Sequence, residues 1–448
     1  MQLSLSGQIY DDPPTRAING QLSNITLLSL APSLKYRAIH TEQLALALQG
    51  SVELLSLSSP IFNTGNGEEL SVIGSVQTPI TYSASPQLQL HITPGVSFFP
   101  STLNQTPFYS TLLTLGTGLS WQPSERWLVY STLNLPIGFG GNAIDSDQSI
   151  VRQPVWALGA RYNITPKTGL NLYATNGFGV TPATGILTAI PRGEDLLLGV
   201  ELNYTPDTGL GYRSSFDDRP SAPLSDRDRQ MLLNGITLTT ANTLAPGNVS
   251  LNAGVGTNSN YGLGLAYSAD ENLQLEAIFE DFGTDNSVTA ANSAGDSFRY
   301  MFGTKLRFFN QFQGDPVSLA ARILGGRDTD PAQTTGVLFA DLSVTYQANA
   351  RMALFNPKVA TFSHQTTVGL GLGMNYEVAQ GLQLIGEFTP VFGGDRPVWA
   401  LGTRYSFPST AVSLDLYSTN AIGRNGLGTL VGQSGAQFGI GLTWMLGN

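Results

Sequence analysis

Large apolar residues alternate with small or polar ones along most of the chain. Near its end, Phe438, Ile440, Leu442, Trp444 and Leu446 interleave with Gln437, Gly439, Gly441 and Thr443. Leu196, Leu198, Val200, Leu202 and Tyr204 interleave in the same way with Asp195, Gly199, Glu201 and Asn203. Val368, Leu370, Leu372, Met374 and Tyr376 alternate with Gly369, Gly371, Gly373 and Asn375, and Leu382, Leu384 and Phe388 follow against Gln383 and Glu387. Phe298, Tyr300, Phe302, Leu306 and Phe308 share one parity, and Arg299, Lys305 and Arg307 share the other. Side chains on a strand point alternately to its two faces, so this period of two predicts strands with one apolar face.

The segments have about the 9 to 11 residues that a tilted strand needs to cross a bilayer. Aromatic residues cluster near their ends, as with Trp156 and Tyr162 or Trp399 and Tyr405. About 22 to 26 such strands are expected, with short turns such as QPSE and VAQG on one side and longer Asn/Ser/Asp/Gly loops on the other. A soluble β-sandwich or propeller also alternates, but its outward face should carry the charge. Here the bulkier face is apolar and the charges are sparse. The pattern therefore predicts an all-β chain forming a transmembrane antiparallel up-and-down β-barrel.

The chain is also similar to itself. PVWALGARY at 154 to 162 is matched by PVWALGTRY at 397 to 405, LNLYATNGFG at 170 to 179 by LDLYSTNAIG at 414 to 423, and GVELNY at 199 to 204 by GIGLTW at 439 to 444. IYDDPP at 9 to 14 and LAPS at 30 to 33 have counterparts in SFDDRP at 215 to 220 and LAPG at 244 to 247, in the same order. Two sequence repeats are read from this. They give a first β-barrel repeat over 1–207, a Pro- and charge-rich linker or long loop over 208–233, and a second β-barrel repeat over 234–448 that carries an extra hairpin near 336 to 360. The first repeat has a longer loop near 138 to 153. Each copy can close into its own barrel, or both can share one wide ring in which residues 2 to 10 pair with the C-terminal strand. Either satisfies backbone hydrogen bonding in lipid; two tandem barrels are favoured.

Composition narrows the class further. Charged residues make up 12 % of the 448 positions and the mean hydropathy is +0.01, with no apolar run near the ~18 residues a membrane helix needs. Glycine is abundant, at 50 residues, and cysteine is absent, which removes disulfides, thiolate metal sites and cysteine nucleophiles. A net charge of −10 with lysine only at 35, 167, 305 and 358 leaves no basic patch to displace phosphate counterions, so nucleic acid is not an expected partner. The first residues, MQLSLSGQIYDDPP, show neither the basic nor the apolar region of a secretory signal; a trimmed signal or a longer parent chain would account for that.

From residue 234 the sequence reads NGITLTTANTLAPGNVSLNAGVG, then YGLGLAYSADENLQLEAIFEDF and FGTKLRFFNQFQGDPVSLAARILGGRD. This stretch resembles the YjbH-type outer-membrane proteins. There an entry strand precedes a Lys/Arg-bearing strand, a Pro-preceded strand and a Gly-Gly turn; the matching positions are Lys305, Arg307, Pro316, Arg322, Gly325 and Gly326. The resemblance covers about a hundred residues and implies tandem barrels associated with exopolysaccharide production. The first copy departs from it, with Ser33 where the second has Gly247 and without the extra hairpin.

If the apolar parity faces lipid, the other parity lines the lumen. The candidate pore-lining residues are Arg161, Glu201, Glu276, Arg299, Lys305, Arg307, Arg322, Asp341, Glu387, Arg404 and Asp415. Rings of mixed charge can select solutes by size and charge; the same charges can also pair with one another and with inward loops and fill a narrow barrel. Catalysis is not expected. His40, His91 and His364 lie far apart, and Ser363 beside His364 is a poor pair because adjacent strand residues face opposite ways. Asp145 with Asp147, and Asp217 with Asp218, lack the glycine and terminal glutamate of a calcium loop. No metal and no cofactor is expected. The chain is read as a bacterial outer-membrane barrel with membrane lipid as partner, acting as a passive channel or export scaffold for hydrophilic solutes or polysaccharide. The rival readings are a non-conducting structural or adhesive barrel and, more remotely, a barrel hydrolase.

Overall fold

A computed structural model of the protein describes residues 1–11, 16–18, 21–23, 26–58, 69–145, 149–188, 193–194, 196–205, 216, 233–257, 260–281, 298–329, 334–362, 366–393, 396–408 and 410–447. Its regular elements are β-strands and a few 3-10 turns. The strands pair antiparallel, mostly with their neighbours in sequence. Two compact units result, Met1–Thr205 and Pro206–Asn448.

Unit 1 is built on an 11-stranded sheet. Its path runs from Gln2–Asp11 through Thr26–His40, Leu44–Ser58, Glu69–Gln77, Leu88–Phe98, Leu112–Trp121, Trp127–Ile137, Val155–Asn163 and Thr168–Thr175 to Leu197–Tyr204. Ile80–Ser83 lies beside this path and pairs with Leu44–Ser58 and Leu88–Phe98.

Unit 2 closes. Twelve antiparallel strands form a ring, with Val249–Gly256 bonded on one edge to Tyr261–Asp270 and on the other to Gly432–Leu446. The C-terminal strand has its second edge on Val412–Ala421. Both its edges are thus occupied within unit 2, while Gln2–Asp11 pairs with Thr26–His40. A single ring through residues 2 to 10 and the C-terminal strand is excluded for that reason. The hairpin of Thr334–Asn349 and Met352–Phe362 is part of the ring wall.

The alternation read from the sequence becomes an inside and an outside. Phe438 and Trp444 are 64 % and 46 % exposed on the outer face, whereas the intervening Gln437, Gly441 and Thr443 are buried. Leu372, Met374 and Tyr376 face out while Gly371, Gly373 and Asn375 face in. This run is not one strand; it divides into Thr366–Gly369 and Leu372–Ala379. A second departure lies in Phe298–Phe309. A bulge between Arg307 and Phe309 adds a residue to one side of the ladder, which reverses the parity beyond it. Phe309 is therefore exposed; Leu306, which precedes the bulge, is buried although it shares the outward parity of Phe298 and Phe302.

The inner glycines make room. A side chain at Gly369 would collide with Leu430, at Gly371 with Leu238 and at Gly373 with Phe355. Leu238 and Leu430 belong to two segments that enter the ring: 233–248, before its first strand, and the turn around Gly426–Leu430, before its last. The second of these packs Leu427 and Leu430 against Ile278, Met301, Leu324, Val337 and Phe339, an apolar seal inside the wall.

Unit 1 fills its inner face differently. Leu55, Leu57 and Ile73 point inward and join Phe99, Phe108, Tyr109, Leu112 and Ile144 in one apolar cluster. Burial alone pushes the Tyr109 phenol above its ordinary pKa. The inner face of this unit is thus partly apolar, where the sequence pattern had suggested only polar residues.

Candidate functional site: the charged interior of unit 2

Nine of the eleven candidate lumen residues belong to unit 2, and all nine are buried: Glu276, Arg299, Lys305, Arg307, Arg322, Asp341, Glu387, Arg404 and Asp415. They come from strands on different sides of the ring, which the alternation turns inward together. The other two lie in unit 1. Arg161 is half-buried and donates from Nε to Asn163 Oδ1 at 3.1 Å. Glu201 is exposed on the outermost described strand, where its Oε2 accepts from Asn171 Nδ2 at 3.0 Å, so the structure does not place it in an enclosed lumen.

Glu387 anchors the inner segment. Its carboxylate accepts from the backbone N–H groups of Ile236 and Thr237, both at 2.7 Å, from that of Leu238 at 3.2 Å, and from the Thr237 hydroxyl at 2.6 Å. A buried carboxylate is stable only when hydrogen-bonded, and a loop crossing a barrel needs acceptors for its free N–H groups; each supplies what the other lacks. Further along, the Thr239 hydroxyl bonds Asp341 and lies 3.0 Å from Ser343 Oγ, and Ala241 N donates to Thr345 Oγ1 at 2.7 Å.

Arg404 and Asp415 form a bidentate pair at 2.7 and 3.1 Å, the geometry that gives guanidinium–carboxylate contacts their strength. Arg404 also donates to Asn234 O at 2.7 Å. The second oxygen of Asp415 receives Arg424 Nη2 at 2.8 Å. Arg424 comes from the inward turn, lies against the flat backbone of Gly441 and Gly254, and stacks over Tyr417 at 4.6 Å. Burial opposes its charge, but Asp415 beside it, together with Tyr417, holds the guanidinium above the ordinary arginine pKa. The turn is fixed further by Glu280 Oε1, which accepts from the N–H groups of Arg424 at 3.1 Å and Asn425 at 3.0 Å.

On the opposite wall Arg322 binds Glu276 at 2.5 and 2.7 Å, and Gln274 donates to the same carboxylate at 2.8 Å. Lys305 stands in register between Gln274 and Arg322. Arg307 donates to Asn272 Oδ1 at 3.2 Å and Glu271 O at 2.8 Å. Between these groups and the inner segment lies a cavity of about 780 Å³. It reaches the turn residues Phe312, Gln313, Thr410 and Ala411 at one end of the ring.

Three functional side chains escaped the sequence reading. Glu280 shares parity with Glu276, so continuing that parity would have found it. Arg424 sits in a turn, where no period applies. Glu53, on Leu44–Ser58 of unit 1, is fully buried, accepts from Ala183 N at 2.6 Å and Ser51 Oγ at 2.9 Å, and also bonds Thr181; a lone carboxylate within SVELLSLS was the available sign. Ser363, His364, Asp147, Asp217 and Asp218 lie outside the described residues. His91 is held by two hydroxyls, Thr81 Oγ1 at 3.0 Å and Ser120 Oγ at 2.9 Å, one at each ring nitrogen. Among the described residues no group of three or more His, Asp or Glu is arranged to hold a metal ion.

The sequence matches no family model and no curated protein. Among solved structures it is similar to OccAB4 of Acinetobacter baumannii, at 12 % identity over 99 % of this chain and 96 % of that one, with a TM-score of 0.21. A porin from Rh. blastica is 10 % identical over 94 % of this chain and 100 % of its own, TM-score 0.22. The ferric enterobactin receptor PfeA of Pseudomonas aeruginosa is 11 % identical over 99 % and 81 %, TM-score 0.20. At such scores the traces diverge, and the description of the fold rests on the strand pairing itself.

Proposed function

We propose that the protein is a bacterial outer-membrane β-barrel whose second unit is a narrow passage for small hydrophilic solutes, closed at rest by its own inner segments. The observation that carries this is the inversion of the ring: apolar and aromatic side chains outside, nine buried ionisable ones inside with a cavity among them. Water-soluble barrels have no reason to present such an outer face, whereas lipid requires it. The apolar seal of Leu427 and Leu430 and the anchored segment 233–248 occupy the interior, which favours small solutes over polysaccharide as cargo. The short turns that the cavity reaches would face the periplasm, by the usual asymmetry of such barrels.

Two finer readings accompany it. The units are taken as two copies of one repeat, the first also a ring. In support, Gln8 of the first strand donates to Phe178 O at 3.0 Å and accepts from Val180 N at 3.2 Å, both just beyond Thr168–Thr175. Lipid tolerates no unpaired strand edge, which the outer strands of an open sheet would expose. The protein is also taken to perform no covalent chemistry, since among the described residues His91 is bonded by Thr81 and Ser120 and by no carboxylate that would orient the ring.

Planar-bilayer recording tests the passage. Folded wild-type protein should give small, infrequent conductance steps. Glu387→Ala, which frees the inner segment, should raise the conductance several-fold. The non-conducting alternative is favoured by the density of bonds on that segment; silence from both proteins, each folded by gel mobility, would establish it and remove the passage reading.

A further inference from the structure

Among the residues that line the cavity of unit 2, cations outnumber carboxylates. Lys305, Arg307, Arg322, Arg404 and Arg424 line it, against Glu271 and Glu276. Glu276 is engaged by Arg322, and Asp415, behind the cavity wall, by Arg404 and Arg424. Lys305 is 1 % exposed, and the charges that act on it are mixed: Glu276 and Asp341 favour its ammonium, Arg322 and Arg307 oppose it. Its cross-strand neighbour is another cation, Arg322. An ammonium so placed is costly unless something anionic completes it.

Two further groups at the same cavity point the same way. Arg424 Nη1 is buried without a hydrogen-bond partner, and so are both polar atoms of the Asn242 side-chain amide. Native proteins rarely leave such groups unsatisfied. A guanidinium N–H, an ammonium and an amide that can both donate and accept are a recognition set for an oxyanion carried by a hydroxylated molecule. The volume of about 780 Å³ lies within the range of small-molecule sites.

We propose that this cavity is a binding site for a small, hydroxyl-bearing oxyanion, a carboxylated or phosphorylated sugar-sized solute, with Lys305 as its main counter-charge and Asn242 and Arg424 as hydrogen-bonding partners. The site goes beyond the passage reading and does not depend on it, because binding in detergent needs neither a bilayer nor a current.

Isothermal titration calorimetry of the full chain in detergent, with D-glucuronate, glucose 6-phosphate and D-glucose as probes, tests this. At least one anion should bind with a stoichiometry near one, and glucose should bind at least about tenfold more weakly. Preference for glucuronate assigns the oxyanion as a carboxylate, and preference for glucose 6-phosphate as a phosphoryl group; either supports the site. Lys305→Met should weaken the preferred anion at least about tenfold, with a cooperative thermal melt showing that the variant is folded. Asn242→Ala, which deletes an amide with no partner in the chain, should fold normally and also weaken binding several-fold. Absence of binding by both anions at millimolar concentration, equal binding of glucose, or unchanged affinity in both variants would overturn the proposal.

Discussion

Two hairpins in the two units carry the same arginine in the same register and treat it differently. In unit 1, Arg161 lies across from Asn171, and Asn171 from Glu201 on the next strand. In unit 2, Arg404 lies across from Asp415, and Asp415 from Gly441. The first set is a neutral relay: Asn171 donates to Tyr130 OH at 2.8 Å and to Glu201. The second is an ion pair with a vacancy beside it where glycine stands, and Arg424 from the inner turn fills that vacancy. One acid moved by one strand thus decides whether the wall satisfies itself or recruits a guanidinium from inside. The pattern extends to the interiors, more apolar in unit 1 and more ionic in unit 2.

Removing the acid should separate the two hairpins most. Asp415→Ala leaves Arg404 and Arg424 without their carboxylate and should cost about 3–5 kcal/mol in urea unfolding of the micelle-embedded protein. Asn171→Ala removes one neutral bond and one charge-assisted bond, and should cost about 1–2 kcal/mol. Equal losses would mean that the ion pair is no more than a substitute for the amide relay.

Filling the glycine position probes the recruited arginine by itself. Gly441→Leu places a side chain where the Arg424 guanidinium now lies and should destabilise by about 1–3 kcal/mol through overpacking. Loosening of the inner turn should accompany it, seen as faster hydrogen exchange at residues 424–430. Unchanged exchange there would show that Glu280 alone holds the turn.

The smallest contrast is expected where the units agree. Asn176 Oδ1 accepts from Trp156 N and its Nδ2 donates to Pro154 O, at 2.8 and 2.9 Å; Asn420 makes the same two bonds to Trp399 and Pro397 at the same distances. Thr175 and Thr419 donate to Trp156 O and Trp399 O, both at 2.6 Å. Asn176→Ala and Asn420→Ala should therefore each cost about 1–3 kcal/mol and differ by no more than a few tenths in unfolding measurements. A large difference would mean that the shared motif serves only one of the units.

The alternation of Phe438 to Trp444 and of Leu372 to Tyr376 carried the barrel and its facing, because burial on one side of a strand leaves a period of two in the sequence. The same rule placed nine inner ionisable groups. It failed at Phe309, beyond a bulge that resets the parity, and at Leu306, which is buried on the outward parity. It could not find Arg424 or the inner segment 233–248. Those residues lie in irregular backbone, and what holds them, Glu387 for the segment and Asp415 with Glu280 for Arg424, is distant in sequence. The aligned TN motifs were legible as similarity, but their clasping of a Trp–Pro backbone was not, since a sequence match does not specify which carbonyl a side chain meets.

The seam of the ring sets an order of assembly. Asn252 donates to Thr443 across it, 191 positions along the chain, so this pairing carries the greatest loop-closure cost of the ladder and completes last. Segment 233–248 directly precedes one seam strand and the turn around Gly426–Leu430 directly precedes the other. Both occupants of the interior therefore hang from the lips of a cleft that is still open while the wall grows, and closing the cleft traps them. Egress of either afterwards would have to proceed through the end of the cylinder, which makes the resting arrangement kinetically persistent as well as bonded.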